Sequence, residues 1–381
     1  LDVNANKLGP TVEKRNQKLV KLLEAIGDLQ LGNYYDNTID AFGDAYEFLM
    51  TMYAANAGKS GGEFFTPQEV SELLAEITTV GKKEVNKVYD PACGSGSLLL
   101  KFVKVLGKEN VRLGFFGQEV NLTIYNLCRI NMFLHDINYN HFDIAHGDTL
   151  TDPKHWDDEP FDAIVSNPPY SIKWEGDGNP LLINDPRFSP AGVLAPKSKA
   201  DLAFTMHMLS WLSTSGTAAI VEFPGVLYRG GAEQKIRKYL VDNNYLDAVI
   251  QLPPDLFFGT TIATCIIVLK KSKKDNKTLF IDASAEFVRG GNKNKLSEEN
   301  RVRILKAFIK RTDIDHFAKL MDSRIIEEND YNVAVSTYVS QKDTREVIDI
   351  KKLNAEIKEI VARQSKLRTA IDEIVADIEG K

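Results

Sequence analysis

The sequence predicts an α/β fold: a mostly parallel sheet with helices on both faces and one antiparallel strand near its end, preceded by a helical segment and followed by a coiled-coil helix. Three observations predict it. Between about residues 85 and 285, short apolar runs alternate with longer amphipathic ones. One of these runs, Phe161–Ser166, leads straight into Asn167-Pro168-Pro169-Tyr170. From about residue 343, apolar residues recur at alternating spacings of three and four with charges between them.

Composition bounds the classes of function. The chain has 381 residues, 43% hydrophobic and 26% charged, which excludes disordered, collagen-like and fibrous readings. Lys and Arg number 47 against 53 Asp and Glu, a net charge of −6, so a wholly basic nucleic-acid coat is excluded while a local basic groove is allowed. Cys93, Cys128 and Cys265 lie far apart and form neither a disulfide framework nor zinc spacing, pointing to a reducing cytoplasm. No apolar stretch approaches the roughly 20 residues of a membrane helix, and no signal peptide is visible, so no membrane partner is expected. The first residue is Leu1 rather than Met, and more chain is expected upstream.

Residues 1–60 read as a helical segment: Val20, Leu22, Leu23 and Ile26 form one apolar stripe, and Tyr46, Phe48, Leu49 and Tyr53 a second, before the Gly-rich break at 56–62. The next unit, 61–275, begins with Gly62-Glu63-Phe64-Phe65-Thr66-Pro67-Gln68-Glu69. Thr66 as N-cap, Pro67 at the first helical position and Glu69 three residues after the cap predict a capping box, with Val70, Leu73, Leu74 and Ile77 on the apolar face. Strands are predicted at 88–89, 113–116, 142–145, 163–166, 218–222, 246–252, 265–269 and 278–281, and helices at 98–106 and 122–134. The late strands lie close together, so an antiparallel one is expected there. Residues 171–200, rich in Gly and Pro, form the long irregular stretch, a length that in a compact domain is usually functional or mobile. Residues 276–342 read as a small α/β extension, and 343–381 as the heptad helix, with Ile350, Leu353, Ile357, Ile360, Gln364, Leu367, Ile371, Ile374 and Ile378 on its seam.

The chemistry concentrates at strand ends. Asp90 precedes Pro91-Ala92-Cys93-Gly94-Ser95-Gly96-Ser97, where a glycine turn opens a helix and lets a ligand approach the backbone. A carboxylate beside that turn disfavours phosphate and suits a cationic or amino-bearing ligand. Glu119, about 20 residues on, is placed to accept both hydroxyls of a ribose. Asp148, at the next strand end, can accept the exocyclic amine of an adenine. In Asn167-Pro168-Pro169-Tyr170 the two prolines fix φ and remove two donors, leaving the Asn167 amide and the Pro168 carbonyl as acceptors for both hydrogens of one NH₂ group, with Tyr170 as a stacking face. Phe257 and Phe258, next to Gly259, are either core or a second stacking wall.

Together these motifs resemble the adenine-N6 DNA methyltransferases, and more narrowly the modification (M) subunit of type I restriction–modification systems, over roughly residues 40–345. The resemblance implies a Rossmann-like class I methyltransferase sheet and S-adenosylmethionine as cofactor, with no metal required for methylation. It places Glu63, Phe64, Phe65, Thr66, Pro67 and Gln68 at the methionine end. It places Asp90, Gly94, Ser95, Gly96 and Ser97 along the cofactor, Glu119 on the ribose and Asp148 on the cofactor's adenine. Asn167, Pro168, Pro169 and Tyr170 hold a target adenine flipped out of double-stranded DNA, with Phe257 or Phe258 on its other face. Cys93 and Glu63 occupy positions that vary in such proteins. Only some 70 residues follow the sheet before the heptads, so sequence reading is expected in trans. The heptad seam is expected to dock on a specificity (S) subunit in an M₂S assembly, which a nuclease (R) subunit can join; the alternative for the seam is a homotypic coiled coil. Lys270, Lys271, Lys273, Lys274, Lys277, Lys293 and Lys295 can touch phosphates or form a solvated face. The rival readings are a protein-glutamine N5 methyltransferase, a non-catalytic assembly subunit, and a single-chain methyltransferase that has lost its recognition domain.

Overall fold

The computed structural model describes residues 6–28, 66–257, 260–291, 293–341 and 350–380. The chain divides into two compact units, Leu1–Ser340 and Gln341–Lys381. The second apolar stripe at 46–53 lies outside the described residues.

The first unit is built on a nine-stranded sheet. Its strands are β1 (Val85–Asp90), β2 (Val111–Glu119), β3 (Phe142–His146), β4 (Phe161–Ser166), β5 (Leu212–Glu222), β6 (Leu246–Gln251), β7 (Cys265–Lys270), β8 (Lys277–Asp282) and β11 (Ala318–Asp322). They lie in the order β11-β8-β6-β7-β5-β4-β1-β2-β3. β3, β2, β1, β4 and β5 pair in parallel. β7 inserts antiparallel between β5 and β6. Each of the eight predicted strands is present, and β7 is the expected antiparallel one. β11 adds a further antiparallel pairing on β8 at the edge. Residues 276–342 therefore contribute β8 and β11 to the same sheet. A hairpin of β9 (Val288–Gly290) and β10 (Lys293–Lys295) stands beside it.

Alternation along the strands fills two cores, one on each face. Val88, Ala163, Val221, Ile266 and Val268 face one, with α2 (Gln68–Thr79), α3 (Ser97–Leu106), α4 (Leu122–Leu134) and α7 (Glu298–Lys310). Tyr89, Ile164, Ile220, Ile267 and Leu269 face the other, with the irregular 171–200 stretch, α5 (Asp201–Trp211) and α6 (Ala232–Asp242). The predicted face of α2 is fully buried at Val70, Leu73, Leu74 and Ile77. The short helices α8 (Ser323–Glu328) and α9 (Val335–Tyr338) complete this unit, with α1 (Val12–Gly27) at its start.

Residues 171–200 are irregular, as expected, but firmly anchored. Arg187, 1% exposed, donates to the Thr149 and Leu150 carbonyls at 2.7 and 2.8 Å and pairs with Asp185 at 2.7 Å. A buried guanidinium needs this full set of acceptors. It also faces Nδ1 of His207 at 3.2 Å. Burial and this guanidinium hold His207 well below the usual imidazole range, so the ring is neutral. Its Nδ1 accepts and its Nε2 carries the hydrogen, 3.0 Å from the Tyr89 hydroxyl.

The second unit contains α10, Ile350–Ile378, a helix of 29 residues spanning about 44 Å. None of its side chains is buried.

Candidate active site

The strand ends of β1, β2 and β4 converge at one edge of the parallel half of the sheet, where a doubly wound fold leaves its crevice. Asp90 is 1% exposed. Its carboxylate accepts the Ala92 amide at 2.9 Å and the Ser166 hydroxyl at 3.0 Å, tying the end of β1 to the residue just before Asn167. Burial pushes its pKa up to about 7, and the Glu119 carboxylate adds to the rise. Glu119 accepts the Gly94 amide at 3.1 Å and the Asn121 amide at 2.8 Å, and burial raises its pKa as well. Gly94 and Gly96 both have positive φ, at 54° and 82°. A Cβ on Gly96 would sit 2.8 Å from Cys128 Sγ, so the turn needs glycine there for both conformation and space. The Asn131 side chain supports the turn by donating to the Ser95 carbonyl at 2.9 Å, and Ser95 and Ser97 are buried.

Thr66 departs from its expected role. Helix α2 begins at Gln68, Pro67 occupies the N-cap position, and the cap makes no side-chain hydrogen bond. The Pro67 carbonyl accepts from Val70 and Ser71 at 3.0 Å each. The capping box is therefore absent: with the helix starting two residues past it, the Thr66 hydroxyl instead accepts the Asn167 amide nitrogen at 3.0 Å. Thr66 and Pro67 are buried, whereas Gln68 is exposed. Glu63, Phe64 and Phe65 lie outside the described residues.

The Asn167 side chain is thus held at both ends. Its nitrogen donates to Thr66, and its oxygen accepts the Tyr170 hydroxyl at 2.5 Å. An amide oxygen has two acceptor positions, so one remains for an incoming NH₂ group. Burial keeps the Tyr170 hydroxyl protonated well above its usual range, which preserves this donation. Pro168 is buried, and Asn167, Pro169 and Tyr170 are half-buried. Tyr170 meets Phe223 at 4.7 Å and Phe257 at 6.5 Å, both edge-on. Phe257 is 2% exposed, and Phe258 lies outside the described residues.

Asp148 lies just past the end of β3. It is exposed, accepts the Leu150 amide at 2.9 Å, and borders an open cavity of about 610 Å³ with Lys173, Trp174 and Lys197 of the irregular stretch. The next residue, Thr149, links it to the glycine turn through the Pro91 carbonyl at 2.5 Å.

Sequence reading missed Ser166, Asn121, Phe223 and Asp201. Asp201 accepts the Ser171 amide at 3.0 Å, fixing the chain just past Tyr170, where Ser171 has a φ of 52°. An acid opening a helix after a long loop was the signal available for it. Four of the lysines read as phosphate contacts or a solvated face are engaged internally instead. Lys270 pairs with Asp247 at 3.1 Å, and Lys271 donates to the Ser210 and Leu212 carbonyls. Lys273 donates to the Leu246 carbonyl, and Lys293 pairs with Asp255 at 2.9 Å. Burial lowers the Lys273 pKa to about 8. Among the described residues no helix is long and apolar enough to cross a membrane.

The donor set fits S-adenosylmethionine. A buried carboxylate, Asp90, and a half-buried one, Glu119, both with raised pKa values, lie at a glycine turn, and a sulfonium and ammonium would relieve their mutual repulsion.

The N-6 DNA Methylase family profile matches residues 37–347. The chain is 53% identical to the MpnII methylase subunit of a type I restriction enzyme from Mycoplasma pneumoniae, over 99% of this chain and 71% of that protein. It is 34% identical to the MjaVII methylase subunit from Methanocaldococcus jannaschii, over 90% of this chain but only 59% of that protein. The crystal structure of a type I restriction–modification methyltransferase subunit from Streptococcus thermophilus superimposes with a TM-score of 0.81 at 40% identity, covering 89% of this chain and 72% of that one. With the glycine turn, the acidic strand ends and the Asn167–Tyr170 clamp in place, the chain belongs to the N-6 DNA methylase family, among the methylase subunits of type I restriction enzymes.

Proposed function

We propose that the chain transfers a methyl group from S-adenosylmethionine to the N6 amine of an adenine flipped out of double-stranded DNA, as the modification subunit of a complex whose sequence specificity comes from a separate S subunit. The observation that carries this reading is the doubly held Asn167 amide, whose neighbour Ser166 is hydrogen-bonded to the Asp90 carboxylate at the glycine turn.

S-adenosylmethionine supplies a methyl group on a sulfonium. Asp90, Gly94, Ser95, Gly96 and Ser97 line it, Glu119 takes the ribose hydroxyls, Asp148 the adenine, and the 63–68 segment the methionine end. Flipping the target base costs a few kcal/mol, offset by stacking and hydrogen bonds in the pocket. The Asn167 oxygen and the Pro168 carbonyl each accept one N6 hydrogen, drawing the nitrogen lone pair out of conjugation with the ring. Tyr170 fixes the ring face, with Phe257 or Phe258 opposite. Thr66 and the Tyr170 hydroxyl hold the amide in register, so the contribution is positioning and preorganised electrostatics. Residues 61–275 form the catalytic unit and 276–342 its extension. The 343–381 helix docks on S in an M₂S assembly open to an R subunit, in a cytoplasmic setting. The exposed α10 seam supports that docking: Ile350, Leu353, Ile357, Ile360, Leu367, Ile371, Ile374 and Ile378 are 45–80% exposed, and a single helix cannot bury its own a/d seam.

The test is methyl transfer by Asn167→Ala co-purified with its S partner. Loss of transfer with unchanged cofactor binding supports the clamp; near-normal transfer rules it out.

A further inference from the structure

The β9–β10 hairpin stands outside the nine-stranded sheet, yet its polar groups reach the connection between β6 and β7 that carries Phe257. The Lys293 ammonium has three donors. They go to the Asp255 carboxylate at 2.9 Å, the Phe257 carbonyl at 3.0 Å and the Thr260 carbonyl at 3.1 Å. Asn294 is 4% exposed. Its side-chain nitrogen donates to the Pro254 carbonyl at 2.8 Å, and its main-chain N–H donates to the Asp255 carbonyl at 3.0 Å. Its side-chain oxygen accepts from Arg289 at 2.9 Å, and Arg289 also pairs with Asp255 at 3.1 Å. These contacts converge on Asp255, whose φ is 61°. That left-handed conformation favours glycine and persists in another residue where its surroundings hold it. Here the hairpin takes both carboxylate oxygens and the main-chain carbonyl.

Two residues past this strained turn, Phe257 sits in the core against which Tyr170 packs. Its ring meets Tyr170 edge-on at 6.5 Å, and the Tyr170 hydroxyl holds the Asn167 oxygen. A run of direct contacts therefore leads from the hairpin to the amide: Lys293 to Phe257, Phe257 to Tyr170, Tyr170 to Asn167. We infer that the hairpin braces the target-base clamp, with Lys293 and Asn294 as positioning residues that act through Phe257 on Tyr170. The inference rests on the function proposed above and assigns a role within it to residues 288–295. Lys293 was among the lysines expected to touch phosphates or lie on a solvated face. With all three donors engaged inside the chain, its effect on methylation comes through the clamp. Small displacements of a supporting shell are costly at a reacting centre, because the geometry of attack is narrow.

The test is a double-mutant cycle on the full chain co-purified with its S partner, read as methyl transfer to duplex DNA. Lys293→Met keeps the aliphatic stem and removes the donors. It should lower kcat about tenfold or more while the Kd for S-adenosylmethionine stays as in the wild type. In a Phe257→Ala background the same substitution should cost less than about twofold, because the link through which it acts is gone. Asn294→Ala should show the same non-additivity. An unchanged kcat in Lys293→Met, or losses that simply add to those of Phe257→Ala, overturns the brace. A matching loss of cofactor affinity also overturns it, since that marks a general loosening of the fold. A wild-type complex that transfers no methyl group to DNA removes the underlying function instead. Amide hydrogen exchange on the chain alone still tests the brace in that case: Lys293→Met should speed exchange at 254–257 and leave 88–97 unchanged, and equal exchange in both proteins overturns it.

Discussion

The strand-end cluster around Asn167 and the helix α10 are opposites. In the cluster, nearly every polar atom named above has a partner within the chain: Asp90 with Ser166, Glu119 with Gly94, Asn167 with Thr66 and Tyr170. In α10 no side chain is buried, and its apolar residues lie in one stripe along 29 residues. The contrast separates two kinds of element. The cluster is held in place by hydrogen bonds within its own unit. The helix leaves its apolar stripe open, and an isolated helix of this kind is marginal in water.

That comparison can be broken at either end. The largest effect is expected from truncation after Gln341, which should abolish co-purification with the S subunit while calorimetric cofactor binding stays as in the full chain; retained assembly would show that α10 is not the docking element. Next comes Asn167→Ala, for which radiolabelled methyl transfer should fall by about 10²–10³-fold or more, the scale for removing one preorganised group at a reacting centre, with the cofactor Kd unchanged. Glu119→Ala should weaken cofactor binding by about 10–100-fold, corresponding to the roughly 1.5–3 kcal/mol of a hydrogen bond to a charged group. Unchanged affinity would remove Glu119 from the ribose.

A smaller effect is expected from pH. The folded-state pKa of Asp90 is raised to about 7, so it is neutral below that value and anionic above it. If its anion attracts the amino and sulfonium charge, cofactor binding tightens as pH rises from about 6 to 8 and releases protons. The opposite trend would contradict the role. The raised value also means that Asp90 favours the folded chain most at low pH, and that this contribution is lost as pH rises through the folded pKa of about 7. The smallest effect is expected from Thr66→Val, which leaves the Asn167 nitrogen without its acceptor and should lower the methylation rate by several fold, about 1 kcal/mol. An unchanged rate would show that Tyr170 alone suffices to hold the amide.

Much of this was legible in the sequence because it rests on period and composition. The strands from β1 to β8 announce themselves as apolar runs between turn residues, and two prolines after Asn167 leave the backbone little choice. What was not legible depends on which distant atoms meet. Nothing local marks Ser166 as the partner of Asp90, or redirects the Thr66 hydroxyl from a helix cap to an amide 101 residues away. β11 was hidden because Ala318–Asp322 is a half-buried edge strand whose side chains do not alternate cleanly. The lysines of 270–293 looked like a charged face because sequence reveals charge and not the carbonyls that Lys271 and Lys273 reach. The grip on the 171–200 stretch comes from one buried arginine, which composition would place at the surface.

The most direct test of the central claim is to co-express the chain with its S subunit, then map modified bases in the host DNA, beside an Asn167→Ala control. N6-methyladenine is expected at one defined sequence and none in the control. Unmodified adenines in both, or methyl groups found on protein glutamine instead, would contradict it.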